Sequence, residues 1–219
     1  MNDSGRRYRT SIAVLAAARA LLVALSLTLL LTTFACADGG QAAALTDPLP
    51  VTAPDGDSVD LSLVPGWRVL YFWSSVCPCV RACERYSFVP LAEKYRGKVA
   101  FFAIASDGWD LNKSPTELQT DIKMHHLPYP VLLDTSHQVA ETLNAKVTPE
   151  TFVLDPQGDI VFQGMPDDSR RFLYQLMNPT PKKPLPVPQT FLAKALAEGL
   201  SGRPITPTPI KESGCIIAW

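Results

Sequence analysis

No run of basic residues interrupts this 219-residue chain, whose formal net charge is −1. A nucleic-acid binder normally carries a basic patch or stripe, so nucleic acid is excluded as a partner. Histidine is scarce. Only His125, His126 and His137 are present, so the last third of the chain offers no imidazole to a metal. These three read as helix-end or surface residues. No internal repeat is found, which sets aside repeat architectures. Charged residues make up 19% and hydrophobic residues 47%, too apolar for a disordered protein. The length suits one ordinary domain with extensions.

What is present begins with an export signal. Arg6, Arg7, Arg9 and Arg19 precede an uncharged run, Ala20 to Phe34, and the small residues Ala35-Cys36-Ala37 follow. Three readings stay open: a leader cleaved before Asp38, a lipoprotein acylated at Cys36, or an uncleaved anchor with cytoplasmic arginines. All three place the rest of the chain outside the cytoplasm, in the periplasm or held on the extracytoplasmic side. Any membrane contact would run through this segment alone. Without residues 1–37 the chain is mildly acidic.

Residues 38–50 read as a linker, 51–178 as the main domain, and 179–219 as a proline-rich extension. Within the domain, Val59 to Leu63 alternates like a strand, and Arg68 to Trp73 and Val99 to Ser106 suit buried strands. Pro78 to Tyr95 is expected to be helical, kinked or ended by Pro90. Ser114-Pro115-Thr116-Glu117 is a capping-box start for a helix running to about His126. Val131 to Leu133 is a strand, Ser136 to Leu143 a helix, and Thr151 to Phe162 a hairpin around Pro156-Gln157-Gly158. Alternating strands and helices imply a layered α/β sheet closed by a hairpin. The extension holds eight of the chain's 20 prolines. Its apolar-faced stretch, Thr190 to about Leu200, is read as a helix packing on the sheet.

The chemistry lies in five cysteines: Cys36, Cys77, Cys79, Cys83 and Cys215. Without Cys36 four remain, and three of them fall within seven residues. Structural staples would be spread along the chain, so clustering points to redox or metal chemistry. Cys77 follows a buried strand where a helix begins. Unpaired N–H groups there favour thiolate over thiol.

The run YFWSSVCP, the later Val147-Thr148-Pro149 and FVLDPQGDIVFQG resemble the thioredoxin-like redoxins of the alkyl hydroperoxide reductase and thiol-specific antioxidant superfamily. The resemblance implies a central mixed sheet with flanking helices and a C-terminal hairpin. It also implies that Pro149 is a cis-proline facing Cys77, with the Thr148 backbone turned outward to pair with a thiol substrate. Cys77-Pro78, Tyr86-Ser87-Phe88-Val89-Pro90, Gly164-Met165-Pro166-Asp167-Asp168 and Gly214-Cys215 are similar to motifs of one exported group of these redoxins.

Two departures matter. A thioredoxin's second cysteine would fall at position 80, which is Val80. In a peroxiredoxin pattern Ser74 fills the hydroxyl position, but Leu70 replaces the proline. The expected activity is therefore thiol–disulfide exchange or peroxide reduction, with Cys77 as nucleophile and an external reductant. Cys215 is the first candidate resolver, because a tail can carry it to the site. Cys79 is a poor direct partner, because one intervening residue makes a strained ring. No cofactor is expected on this reading. The alternative is a Cu(I)-binding or assembly protein, with Cys79 and Cys83 sharing a helix face as in Sco-type chaperones. A third reading is a non-catalytic binding domain. Asp167-Asp168 reads as a helix cap or exposed loop, and Arg170-Arg171 and Lys182-Lys183 as solvated surface.

Overall fold

The computed structural model describes residues 47–168, 189–209 and 213–218. The segment read as an export signal, the first part of the stretch read as linker, Arg170-Arg171 and Lys182-Lys183 lie outside the described residues.

Seven strands form one mixed sheet: β1 (Pro50–Thr52), β2 (Ser58–Asp60), β3 (Trp67–Trp73), β4 (Val99–Ala105), β5 (Val131–Leu133), β7 (Thr151–Leu154) and β8 (Ile160–Gly164). Their order is β2-β1-β5-β4-β3-β7-β8. β3, β4 and β5 run parallel, whereas β7 and β8 form the expected antiparallel hairpin on the other flank. Alternation divides the core. Val69, Tyr71, Trp73, Phe101 and Ala103 pack on one face, and Leu70, Phe72, Ile104 and Leu132 on the other.

Two boundaries differ from the sequence reading. Leu49 is fully buried and Pro50 opens β1, so the fold begins inside the stretch read as linker. The strand at 59–63 stops at Asp60. That carboxylate accepts from the Ser62 and Leu49 amides, and so caps a short 3₁₀ turn over Leu61–Leu63.

The helical segment after β3 is α1 (Pro78–Cys83), one π turn (Glu84–Phe88) and α2 (Val89–Lys94). Pro90 neither breaks nor ends it. Pro90 cannot donate a backbone hydrogen bond, and the turn before it widens so that the Val89 amide reaches back to the Glu84 carbonyl. The wider turn sets Glu84, Ser87 and Phe88 inward. Two more helices follow β4: α3 (Gly108–Leu111), and α4 (Pro115–His125), whose Ser114–Glu117 capping box is present. A fifth, α5 (Gln138–Thr142), follows β5.

The described part of the extension supplies α6 (Phe191–Leu200), which buries Leu192, Ala195 and Leu196 in the core containing Val69 and Met165. Gly199 permits this approach, since a Cβ there would stand 2.5 Å from the Trp67 ring. Beyond α6, Glu198 accepts from the Thr206 amide and hydroxyl, holding the proline-rich chain against the helix. The chain then ends in a second small sheet, where β9 (Cys215–Ile216) pairs antiparallel with β6 (Val147–Thr148).

Candidate functional site

β3 delivers Trp73 to the sheet's end, and the chain turns through Ser74, Ser75 and Val76 into α1. The Cys77 amide donates to the Ser74 carbonyl, closing this turn, and Cys77 itself is the extended residue that caps the helix, with Pro78 in the first helical turn. Ser74 is buried, and this backbone contact is what it contributes to the loop.

The Thr148–Pro149 peptide bond is cis, and the Thr148 carbonyl oxygen lies 3.4 Å from the Cys77 sulfur. The outward backbone of Thr148 is occupied by the chain's own tail: Thr148 pairs with Cys215 and Val147 with Ile216. Ile217 donates to the Lys146 carbonyl and is buried in the core, and Ala218 accepts from the Gly108 amide. Residues 213–218 thus form a strap across the site. Gly214 has a steric reason to be glycine, because a Cβ there would lie 2.1 Å from the Thr148 carbonyl oxygen.

The strap brings Cys215 Sγ to 2.8 Å from Cys77 Sγ. Cys79 completes the group, with all three sulfurs within 4.8 Å of one another. The Cys79 thiol hydrogen-bonds to Cys77 and is the largest influence on it. Burial works against that influence, and Cys215, Thr148 and the Val80 amide add to it, so the Cys77 pKa is lowered to about 5. The partners move the other way. Burial, then the hydrogen bond to Cys77 and its charge, push Cys215 up to about 12. The hydrogen bond to Cys77 is the first cause raising Cys79, with burial second. One sulfur is the thiolate, and two thiols hydrogen-bond to it.

Cys83 is not one of these three clustered sulfurs. It is fully buried and donates to the Asp167 carboxylate at 3.4 Å, and Asp167 also accepts from the Ser87 hydroxyl. The three-sulfur group is thus Cys77, Cys79 and Cys215, whereas the copper alternative had named Cys79 and Cys83. Asp167 is fully buried rather than a cap or an exposed loop, because β8 carries it inward beneath the π turn. Asp168 is also buried and accepts from the Gln189 amide at 2.7 Å.

Two supporting groups were missed from the sequence. Glu84 is buried and meets His125 Nδ1 at 2.7 Å, while His125 Nε2 lies 3.2 Å from the Ser75 carbonyl oxygen. Glu84 also accepts from the Trp73 indole at 3.0 Å. His125 is thus a buried strut of the cysteine loop, not a surface residue. On the loop's other side Asp110 accepts from the Ser75 amide at 3.0 Å and hydroxyl at 2.5 Å. Lys113 donates to Ser75, Asp110 and Asp121. A signal existed for Glu84: it shares a helical face with Val80 and Phe88, and an acid on an apolar face needs a partner. Asp110 and Lys113 offered no such signal.

A parallel-centred sheet with a helix-capping cysteine opposite a cis-proline defines a thioredoxin-like redoxin. Residues 40–163, more than half of the sequence, match the model of the AhpC/TSA family, and the chain belongs to that family. It is similar to the crystal structure of an uncharacterized conserved protein from Geobacillus kaustophilus, at 30% identity and TM-score 0.64, covering 83% of this chain and 91% of that one. A hypothetical protein from Sinorhizobium meliloti shares the fold at 23% identity and TM-score 0.65, over 84% of this chain and 96% of that one. Among curated proteins, thiol-disulfide oxidoreductase ResA of Halalkalibacterium halodurans is 26% identical over 108 residues, 49% of this chain. The match spans 58% of that relative's length.

Proposed function

We propose that the protein is an exported thiol–disulfide oxidoreductase in which Cys77 attacks and Cys215 resolves. The observation that carries this reading is the 2.8 Å separation of Cys77 and Cys215 sulfurs, with Cys77 the thiolate of the pair. The Cys77 thiolate attacks one sulfur of a substrate disulfide, forming a mixed disulfide and releasing the other substrate sulfur as thiolate. Cys77 then carries no charge, which removes two of the causes that hold Cys215 protonated. Cys215 gives its proton to the released thiolate and attacks Cys77 Sγ, and the second substrate sulfur leaves. Two electrons have passed to the substrate, and a Cys77–Cys215 disulfide remains. An external thiol reductant restores the dithiol.

Cys77 is 2% exposed beneath the strap, so a substrate reaches it when residues 213–218 lift from β6. A protein substrate then gains the Thr148 backbone that β9 releases. Relatedness to a thiol-disulfide oxidoreductase supports a disulfide as the substrate. Peroxide reduction is the second reading. It is less favoured because the partners that lower the Cys77 pKa are thiols, a threonine and an amide, with no guanidinium among them. Work outside the cytoplasm is supported by the arginine-then-apolar leader and the four cysteines beyond it.

The test is turnover of a protein disulfide with a thiol reductant, followed by peptide mapping of the oxidised chain. A Cys77–Cys215 disulfide that opens and closes with turnover is the expected result. Cys215 remaining alkylatable after full oxidation of Cys77 would overturn its role. Fractionation with intact-mass analysis tests export, and a full-length soluble chain in the cytoplasm would contradict it.

A further inference from the structure

Exchange between Cys77 and Cys215 needs two sulfurs, yet the fold gathers three. Cys79 sits in the first turn of α1, two residues after Cys77, and its sulfur meets both others. In a three-coordinate plane with metal–sulfur bonds of about 2.3 Å, sulfurs stand about 4 Å apart. Cys77 and Cys215 stand 2.8 Å apart and no pair of the three is more than 4.8 Å apart, so the closest pair need open by only about 1 Å to reach that spacing. Two sulfurs ride on one helix start, and the third arrives on the strap, whose height over Thr148 is set by Gly214. No histidine or carboxylate joins the group among the described residues. Zinc in a structural site takes four ligands, whereas soft thiolates alone suit Cu(I).

We propose that the reduced protein binds one Cu(I) ion between Cys77, Cys79 and Cys215. The site differs from a Cys79 and Cys83 pair, because Cys83 points to Asp167 instead. Binding displaces the thiol protons of Cys79 and Cys215 to solvent and involves no electron transfer, since the metal enters and stays as Cu(I). Oxidation to the Cys77–Cys215 disulfide removes two of three ligands, so the same bond that ends an exchange cycle expels the metal. The inference needs only reduced thiols and does not rest on the exchange reaction.

Cys79→Ser tests the ligand set. A serine hydroxyl still donates a hydrogen bond to the Cys77 thiolate, but it is a hard ligand that Cu(I) rejects. The reduced chain is titrated anaerobically with Cu(I) against a chromophoric Cu(I) chelator. X-ray absorption at the copper edge then counts the sulfurs. Expected are one Cu(I) per chain, three sulfurs near 2.3 Å, and release on oxidation. Cys79→Ser and Cys215→Ser should each weaken retention by at least about tenfold, the least that loss of a direct ligand costs when supporting shells cost 10 to 100-fold. Cys83→Ala should retain both copper and disulfide exchange. Two sulfurs at the copper, equal retention by the oxidised chain, or substoichiometric retention by the reduced chain would each overturn the proposal. These outcomes leave the exchange assay unaffected, so the two readings fail separately.

Discussion

The two ends of α1 carry cysteines six residues apart that live in different chemistry. At the first end Cys77 caps the helix, receives hydrogen bonds from two thiols, and has its pKa lowered to about 5. At the second end Cys83 is sealed in the core, with its sulfur directed at a buried carboxylate that also holds Ser87. The residue type is the same and so is the helix. What differs is the neighbours: two thiols meet the first sulfur, and a buried carboxylate faces the second. The pKa of a cysteine follows from its surroundings rather than from its presence in a helix.

The comparison breaks most sharply at Cys77 itself. Cys77→Ser should reduce disulfide turnover to the uncatalysed background, whereas Cys83→Ala should keep turnover and lose stability only. Turnover assays and denaturant unfolding of both variants check this, and loss of turnover in Cys83→Ala would erase the distinction between the two ends. Next in size is Gly214→Ala. Its Cβ would stand 2.1 Å from the Thr148 carbonyl oxygen, and backbone on both sides leaves only displacement of the strap. Formation of the Cys77–Cys215 disulfide should slow strongly while far-ultraviolet circular dichroism stays unchanged. Unaltered closure would mean the strap does not set the sulfur separation.

The pH dependence sharpens the same contrast. Thiol alkylation at Cys77, followed in Cys215→Ala to remove the competing partner and its hydrogen bond together, should level off well below the ordinary thiol range, with its midpoint raised above about 5. Because folding lowers this pKa, the thiolate contributes stability to the reduced protein that is fully present above the ordinary thiol pKa and is lost as pH falls through about 5. Urea unfolding of the reduced chain between pH 5 and pH 9 should therefore show stability rising with pH from this group, and a flat difference between wild type and Cys77→Ala would count against a lowered pKa. The smallest effect is expected at the other end. Asp167→Ala removes the carboxylate to which the Ser87 hydroxyl and Cys83 donate, costing about 1–3 kcal/mol in unfolding experiments while the Cys77 alkylation profile stays put.

Much of the scaffold was legible because its signals are local. The apolar run before Cys77, the capping box at Ser114 and the hairpin turn at Pro156-Gln157-Gly158 each depend on neighbours within a few positions, and all three form as read. Pro149 was legible by resemblance, and the Thr148–Pro149 bond is cis. Pro90 was legible as an interruption but not in its form: the regular helix gives way to one widened turn before the proline, and the helical segment then continues to Lys94. His125 stands at a helix end as read, but it is buried, because the inward turn of Glu84 gives it a partner where such a histidine is ordinarily solvated. Asp167 became a core residue because β8 and the π turn, far apart in sequence, close over it.

The sequence by itself determined the layered α/β sheet, the thiolate-favouring place of Cys77 and the presence of a tail cysteine with a glycine before it. These follow from periodicity and capping, which act over one or two turns. Only the tertiary structure decided which sulfurs meet. Cys79 and Cys83 share a helix face by spacing, yet Cys79 joins Cys77 and the distant Cys215 because the strap pairs with β6, while Cys83 is drawn to Asp167. Contacts across 138 positions of chain depend on strand pairing and on the fit of Gly214 against Thr148, and neither is written in the spacing of the residues it joins.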